Sequence, residues 1–200
     1  MTDPHQMARS GQWWNELASV AHLLEDPDPR ASDSLFTVMH GHAIIQVDAA
    51  TAALLERGDE AFERVLHEWW NTENDQLADQ IWSGLVTLRM EGQAVGNILH
   101  RLRVQTSDDD VRDAASYFID HHDFGEEDGL PAQVRPHKHP QRLSDVVTDS
   151  LEDTLLAEIS KGHDAEKTKV LVDALCHLPY GADLLAEQRQ ILATKEPECP

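Results

Sequence analysis

Residues 13–30, WWNELASVAHLLEDPDPR, decide the fold class of this chain. Apolar side chains recur there at intervals of four, three and four residues, at Trp13, Leu17, Val20 and Leu24. This spacing places them on one face of an α-helix. The Asp-Pro-Asp-Pro stretch ends that helix, because proline lacks the amide hydrogen that a helix needs and restricts the residue before it. The segment therefore predicts an amphipathic helix that stops abruptly.

Similar amphipathic stretches follow along the rest of the sequence. Asp48 is expected to begin a helix that Gly58 ends, and Ser107-Asp-Asp-Asp110 is a strong helix-start signal because carboxylates complement the positive end of the helix dipole. Three further helices are predicted at 144–161, 164–178 and 182–194. The expected fold class is all-α, an irregular multi-helix bundle or a short helical-hairpin array of about eight to nine helices.

Helical periodicity is lost between residues 124 and 142, where glycines and prolines recur. A stretch of this length without periodicity is either functional or a linker. The sequence therefore predicts an acidic, tryptophan-containing helical domain at 1–123, a Pro/Gly/His loop or linker at 124–142, and a three-helix unit at 143–200 that packs on the first domain.

The composition is that of a folded protein, with 200 residues of which 26% are charged and 40% hydrophobic. No uncharged apolar run is long enough for a membrane-spanning helix, and the first residues lack the pattern of a secretory signal. Cys176 and Cys199 are too few for a disulfide framework, so a reducing cytoplasm is the expected location. Cys176 lies in an apolar stretch, which favours a small buried side chain over a nucleophile.

The chain is strongly acidic, with 37 Asp and Glu against 16 Lys and Arg and a formal net charge of −21. Phosphate backbones and anionic lipids repel such a chain, because binding to them needs clustered cations. Direct binding to free nucleic acid or to a membrane is therefore not expected. Three interpretations of the charge remain open: a solvated surface that confers solubility, adaptation to a salty cytoplasm, or a surface that binds a basic partner.

Two pairs of adjacent tryptophans stand out in the N-terminal part, Trp13-Trp14 and Trp69-Trp70. Neighbouring residues of a helix cannot both face the same core, so one ring of each pair is expected to reach a second helix or the surface. Exposed tryptophan is enriched at interface hot spots. The residues predicted to bind a partner are Trp14, Trp70, Asp108, Asp109 and Asp110.

Histidines and acids cluster in two places where they are candidate ligands of a divalent cation. Asp120-His121-His122-Asp123 ends a predicted helix, and carboxylate and imidazole groups at this density suit zinc, manganese or iron. His137 and His139 lie two apart in an extended stretch, so their side chains project from the same side. The candidate metal ligands are His121, His122, Asp123, His137 and His139; otherwise no cofactor is expected.

Two short motifs resemble known phosphohydrolases. Ile119-Asp-His-His122 resembles the third motif of the DHH phosphoesterases, and His122-Asp123 resembles the dyad of helical HD-domain hydrolases. The DHH motif follows a buried strand and needs an upstream Asp-x-Asp on another strand, whereas here the preceding residues are predicted to be helical. The HD pattern needs an earlier histidine and a later aspartate on neighbouring helices, and this sequence offers many such pairs.

Three functions follow as hypotheses. The first is a non-enzymatic acidic interaction protein (an adaptor, assembly subunit or inhibitor) that binds a basic or nucleic-acid-binding protein, in its most specific form by mimicking nucleic acid. The second is a helical metal-dependent phosphohydrolase that uses the Asp/His cluster. The third is a subunit of a larger nucleoprotein complex, in which four arginines line a contact: Arg89, Arg101, Arg103 and Arg112.

Overall fold

The structure is a computed structural model that describes the backbone of residues 3–91, 94–121 and 143–195, and the side chains of residues 3–85, 96, 98–121 and 147–190. Within these ranges the chain forms eleven helices and no strand, so the all-α prediction is confirmed. The helices are α1 (Pro4–Met7), α2 (Trp13–Leu23), α3 (Arg30–Met39), α4 (Ile44–Glu56), α5 (Asp59–Asn71), α6 (Asp75–Glu91), α7 (Ala94–Gln105), α8 (Asp109–His121), α9 (Leu143–Ser160), α10 (Ala165–His177) and α11 (Gly181–Lys195).

The expected number of eight to nine helices is wrong, because short and unpatterned segments also form helices. In α1, the Asp3 carboxylate accepts the N–H of His5 at 3.0 Å and Pro4 occupies the first helical turn. This cap and proline stabilise a helix of four residues that has no apolar periodicity of its own.

Helix α4 begins at Ile44, four residues before the predicted start at Asp48. Tertiary packing explains the difference, because Gln46 is buried and its Nε2 donates to the carboxylate of Glu16 in α2 at 2.5 Å. The Gln46 amide also fills the space that a Cβ atom at Gly41 would need, at 1.5 Å. Only glycine at position 41 leaves room for this link between α2 and α4.

Helix α4 is the centre of the bundle and contacts α2, α3, α5, α6 and α9. Small residues cover much of its surface, and Ala50, Thr51 and Ala53 are all fully buried. Helix α6 approaches closely at Gly84, where an added Cβ atom would lie 3.3 Å from the Cγ2 of Thr51. The small side chains let several helices pack around one axis, as the short distances in a bundle require.

The C-terminal helices share this core. Helix α10 lies along α2 through its buried Leu171, Ala174 and Leu175, α9 contacts α4, and α11 contacts α9 and α10. Helices α9 and α10 therefore pack against helices of the N-terminal part. The predicted division at 124–142 lies outside the described residues and stays a prediction.

The proline-rich turn after α2 is fastened by one side chain from the end of α4. The Arg57 guanidinium donates to the carbonyl oxygens of Leu23 at 3.1 Å, Asp26 at 2.9 Å and Asp28 at 3.3 Å. Proline has no backbone N–H, so this turn has fewer backbone donors for its carbonyl oxygens. The Arg57 side chain supplies donors instead, which fixes the entry of α3 into the bundle.

The Asp48 carboxyl group of α4 lies in surroundings that disfavour its charged form. Asp48 is largely buried, and no atom of the described residues forms a hydrogen bond with its Oδ1. Burial raises the pKa of Asp48 from 3.8 to about 6, because the interior disfavours the charged form.

Replacing Asp48 with asparagine is expected to raise the free energy of unfolding at about pH 8 by about 1–2 kcal/mol, because the amide carries no charge to desolvate. The folded carboxyl keeps its proton up to about pH 6 and the unfolded one only up to 3.8, so its ionisation destabilises the fold above this window. Urea unfolding measures the difference, which should shrink as the pH falls from about 6 to about 4. A gain that is independent of pH would contradict this account.

A pair of histidines meets where α10 crosses the end of α2. The rings of His22 and His177 are 4.5 Å apart, and the carboxylate of Asp173 lies 4.0 Å from His22 Nε2. The pKa of His22 is lowered, first by burial and then by the facing His177, while Asp173 acts in the opposite direction. Protonation of His22 is therefore disfavoured at the α2–α10 contact.

The His177→Gln variant is expected to lose less stability on acidification than the unaltered chain. A histidine whose folded pKa is lowered stabilises the fold above its unfolded pKa of 6.5, and this contribution is lost as the pH falls below that value. Thermal unfolding at a series of pH values from about 7.5 to about 5 measures the effect. The matched control is His42→Gln, which alters an exposed histidine and should leave the pH dependence unchanged. Identical curves for both variants would refute the assignment.

Candidate partner-binding surface

Helices α5 and α8 lie side by side, and their exposed side chains form a continuous surface. We call this surface the α5–α8 face and define it by His67, Trp70 and Asn71 of α5 and Asp110, Asp113 and Tyr117 of α8. Both helices are anchored from beneath by buried aromatic residues, Phe62 in α5 and Phe118 in α8. The face is therefore carried on rigid elements rather than on loops.

The start of α8 is set by Asp108, which caps the helix. Its Oδ1 accepts the N–H groups of Asp110 at 3.0 Å and Val111 at 3.3 Å. Asp109 pairs with Arg112 one turn later, and the Arg112 guanidinium also donates to the carbonyl oxygen of Thr106 at 2.9 Å. The three predicted partner-binding acids thus differ in role: Asp108 and Asp109 stabilise the helix start, and Asp110 belongs to the α5–α8 face.

Two aromatic rings are exposed on the α5–α8 face. Trp70 is 40% exposed and Tyr117 is 38% exposed. Their centroids are 6.3 Å apart, and the ring planes meet at 62°. Trp69 packs beneath both, since its ring lies 5.9 Å from Trp70 and 5.6 Å from Tyr117. Trp69 in turn contacts Phe118 at 4.4 Å, which ties the pair to the core.

Two carboxylates share the side of α8 that carries Tyr117. Asp110, Asp113 and Tyr117 follow one another at i, i+3 and i+7, so they lie on one side of α8. The Asn71 amide donates to Asp110 Oδ2 at 3.2 Å and to the carbonyl oxygen of His67 at 3.0 Å. These bonds fix the Asp110 carboxylate against the end of α5.

A groove of about 280 Å³ beside the face adds further negative charge. Glu60, Glu63 and Glu68 of α5 line it together with Asp108. The groove also holds Arg64, but its guanidinium is bound to Asp33 at 2.9 Å. The net character of this region of the surface is therefore acidic.

One group of side chains on the described part of the chain has the geometry of a cation site. His67, Asp108 and Asp110 can each offer a ligand atom, and these atoms lie within 4.8 Å of one another. The imidazole and two carboxylates would suit a divalent cation, although Asp108 is already engaged in capping α8.

Of the predicted metal ligands, only His121 lies within the described residues, and it does not belong to this group. The His121 ring stacks on Tyr117 at 4.3 Å, and its Nδ1 donates to the Tyr117 carbonyl oxygen at 3.0 Å. The other four, His122, Asp123, His137 and His139, lie outside the described residues. Metal binding by these residues stays a prediction.

Trp14, the other predicted partner-binding tryptophan, lies at the contact between α2 and α10 rather than on the α5–α8 face. Its ring is partly buried, and the Lys167 ammonium sits 4.4 Å above its centroid. Trp13 meets Trp14 edge-on at 5.9 Å and His163 at 5.4 Å. The structure therefore does not bring Trp14 and Trp70 onto one surface.

Three of the four arginines nominated for a nucleoprotein contact, Arg101, Arg103 and Arg112, lie beside carboxylates of the chain itself. Arg101 pairs with Asp59, and its hydrogen bonds lower the pKa of that carboxyl. Arg103 lies 3.9 Å from Asp120. The Arg89 side chain is outside the described residues.

Cys176 is exposed, so the prediction that it is a buried apolar side chain is wrong. The buried face of α10 is formed by Leu171, Ala174 and Leu175. Residue 176 follows Leu175 by a rotation of roughly 100°, which turns its thiol toward solvent.

Sequence reasoning did not assign His67, Asn71, Asp113 or Tyr117 to a partner-binding surface. The positions of Asp113 and Tyr117 at i+3 and i+7 from Asp110 were a usable signal. No local pattern in the sequence predicts that α5 lies beside α8, because α6 and α7 separate these two helices along the chain.

Comparison with protein-family models, with curated proteins and with solved structures finds no match to this chain. Among the described helices, none combines the length and the apolar character needed to cross a membrane.

Replacing Asp108 with alanine is expected to lower the free energy of unfolding by about 1 kcal/mol, because two N–H groups at the start of α8 lose their acceptor. Asp108→Asn should retain most of the stability, since its side-chain oxygen still caps. The matched control is Asp113→Ala, an exposed substitution in the same helix that should stay within about 0.5 kcal/mol. Equal losses for Asp108→Ala and Asp113→Ala in urea unfolding would rule out the capping role.

Proposed function

We propose that this protein is a non-enzymatic acidic interaction protein that binds a basic protein partner through the α5–α8 face. The observation that carries the proposal is the exposed pair of rings, Trp70 and Tyr117, on a surface lined by carboxylates. Adaptor, assembly subunit and inhibitor are the roles that such a surface serves.

The acidic groups and the aromatic rings contribute differently to such binding. The carboxylates of the face belong to a chain with a formal net charge of −21, and this charge attracts a basic partner before contact. The attraction raises the association rate. Exposed tryptophan and tyrosine supply contact energy once the partner has docked, because they bury a large area with little loss of conformational entropy. Acidic groups and exposed rings together therefore favour specific binding of a basic partner.

The partner class proposed is a basic or nucleic-acid-binding protein, since its cationic groove is complementary to a surface of carboxylates. Occupying such a groove would make this chain a mimic of nucleic acid. The hydrolase alternative has no support among the described residues beyond a single ligand, His121, and stays a prediction.

The proposal is tested by neutralising two acids on the α5–α8 face and two elsewhere. The test variant carries Asp110→Asn and Asp113→Asn, and the matched control carries Glu166→Gln and Glu187→Gln on exposed positions of α10 and α11. Both change the net charge by the same amount. Asp110 and Glu166 each lie in the first turn of a helix, so their effects on helix stability are also matched.

The probe is a fluorescent peptide of about a dozen residues that alternates lysine with serine, and anisotropy measures its binding at about 50 and about 500 mM NaCl. Binding by the unaltered chain should weaken with salt, and the test variant should lose about fivefold in affinity while the control loses less than about twofold. Equal losses in both variants, or no binding at low salt, would overturn the proposal.

A further inference from the structure

Within this chain, two pairs of an aromatic ring and a carboxylate already bind cations. Asp33 and Phe36 lie three residues apart on α3, and Arg64 reaches them from α5. The Arg64 guanidinium lies 4.5 Å from the centroid of the Phe36 ring, and its Nη1 is 2.9 Å from Asp33 Oδ1. The ring and the carboxylate together hold one arginine at the surface.

A second set has the same chemistry. The Lys167 ammonium lies 4.4 Å from the centroid of the Trp14 ring and 3.3 Å from Asp164 Oδ2. Here the ring comes from α2, whereas the cation and the carboxylate come from α10 and its cap. In both sets an aromatic face and a carboxylate share one cation.

The α5–α8 face repeats this arrangement with a second ring. Asp113 and Tyr117 are four residues apart on α8, so their side chains are neighbours about 5–6 Å apart at Cβ. Trp70 of α5 meets Tyr117 at 62° and forms the second wall of a corner. Across the described side chains no cation lies over the Trp70 ring, although Trp70 is 40% exposed.

We infer that the corner formed by Trp70, Tyr117 and Asp113 binds an arginine side chain of the basic partner. The inference rests on the proposed function and names the chemistry by which the partner is recognised. The partner's guanidinium stacks on the Trp70 ring and donates to the Asp113 carboxylate, as Arg64 does with Phe36 and Asp33.

Arginine fits this corner better than lysine for two reasons. A guanidinium is planar and weakly hydrated, so it can lie flat on an aromatic face while its N–H groups still point outward at the edge. Its fork of donors also matches a carboxylate with two parallel hydrogen bonds. An ammonium is a compact and strongly hydrated charge that gains only the electrostatic part of both contacts.

The experiment compares two peptides of about a dozen residues, one alternating arginine with serine and one alternating lysine with serine, by anisotropy at about 150 mM NaCl. The unaltered chain should bind the arginine peptide about threefold to tenfold more tightly, the factor expected for a cation–π contact and a bidentate pair. A third peptide with citrulline in place of arginine keeps the planar shape without the charge, and it should not bind.

The Trp70→Leu variant keeps an apolar side chain but removes the π face, and it should bind both basic peptides with the same affinity. Trp70→Phe should retain most of the preference for arginine, which separates the loss of the ring from a loss of fold. The matched control is Tyr180→Leu, which removes another exposed ring, 52% exposed, away from the α5–α8 face.

The outcomes distinguish this inference from the proposed function. Equal affinity of the unaltered chain for both basic peptides, with the acid substitutions on the face still weakening binding, would overturn the arginine site and leave the proposed function standing. A preference for arginine that persists in Trp70→Leu, or that Tyr180→Leu abolishes equally, would also overturn the site. A failure of both basic peptides to bind would remove the proposed function and the arginine site together.

Discussion

The architecture depends on the burial of α4 on almost every side. A helix surrounded by α2, α3, α5, α6 and α9 must present small side chains in most directions, and its run of alanines with Thr51 satisfies this need. The same constraint explains its polar features. Gln46 is bound to Glu16 because a buried amide needs a partner, and Asp48 holds its proton more tightly because the interior disfavours a carboxylate.

The position of the α5–α8 face depends on the packing around α4. Phe62 and Leu66 fix α5 within the core that surrounds α4, and α5 in turn supports α8 on its other side. Trp69 and Phe118 fill the space between the two helices, so Trp70 and Tyr117 stand on a packed base. A rigid base matters for recognition, because a ring held in place loses little entropy when a partner covers it.

Local patterns in the sequence predict the helices well but not their neighbours. The spacing from Trp13 to Leu24 predicts α2 almost to its ends, and the three C-terminal helices also form where expected. The early start of α4 escaped prediction because contacts with α2 fix its first turn. Similarly, Trp70 and Asp110 were identified from their own chemistry, whereas Tyr117 became significant only through the pairing of α5 with α8.

The net charge by itself does not choose between solubility, adaptation to salt and partner binding, since a solvated acidic surface serves the first two. Neither solubility nor adaptation to salt explains why aromatic rings are exposed. An exposed indole adds apolar surface, which lowers solubility. At other places this chain covers its aromatic–carboxylate sets with its own cations, Arg64 over Phe36 and Lys167 over Trp14. Among the described side chains no cation lies over the Trp70 ring, and the proposed basic partner accounts for both the surplus of acid and the exposed indole.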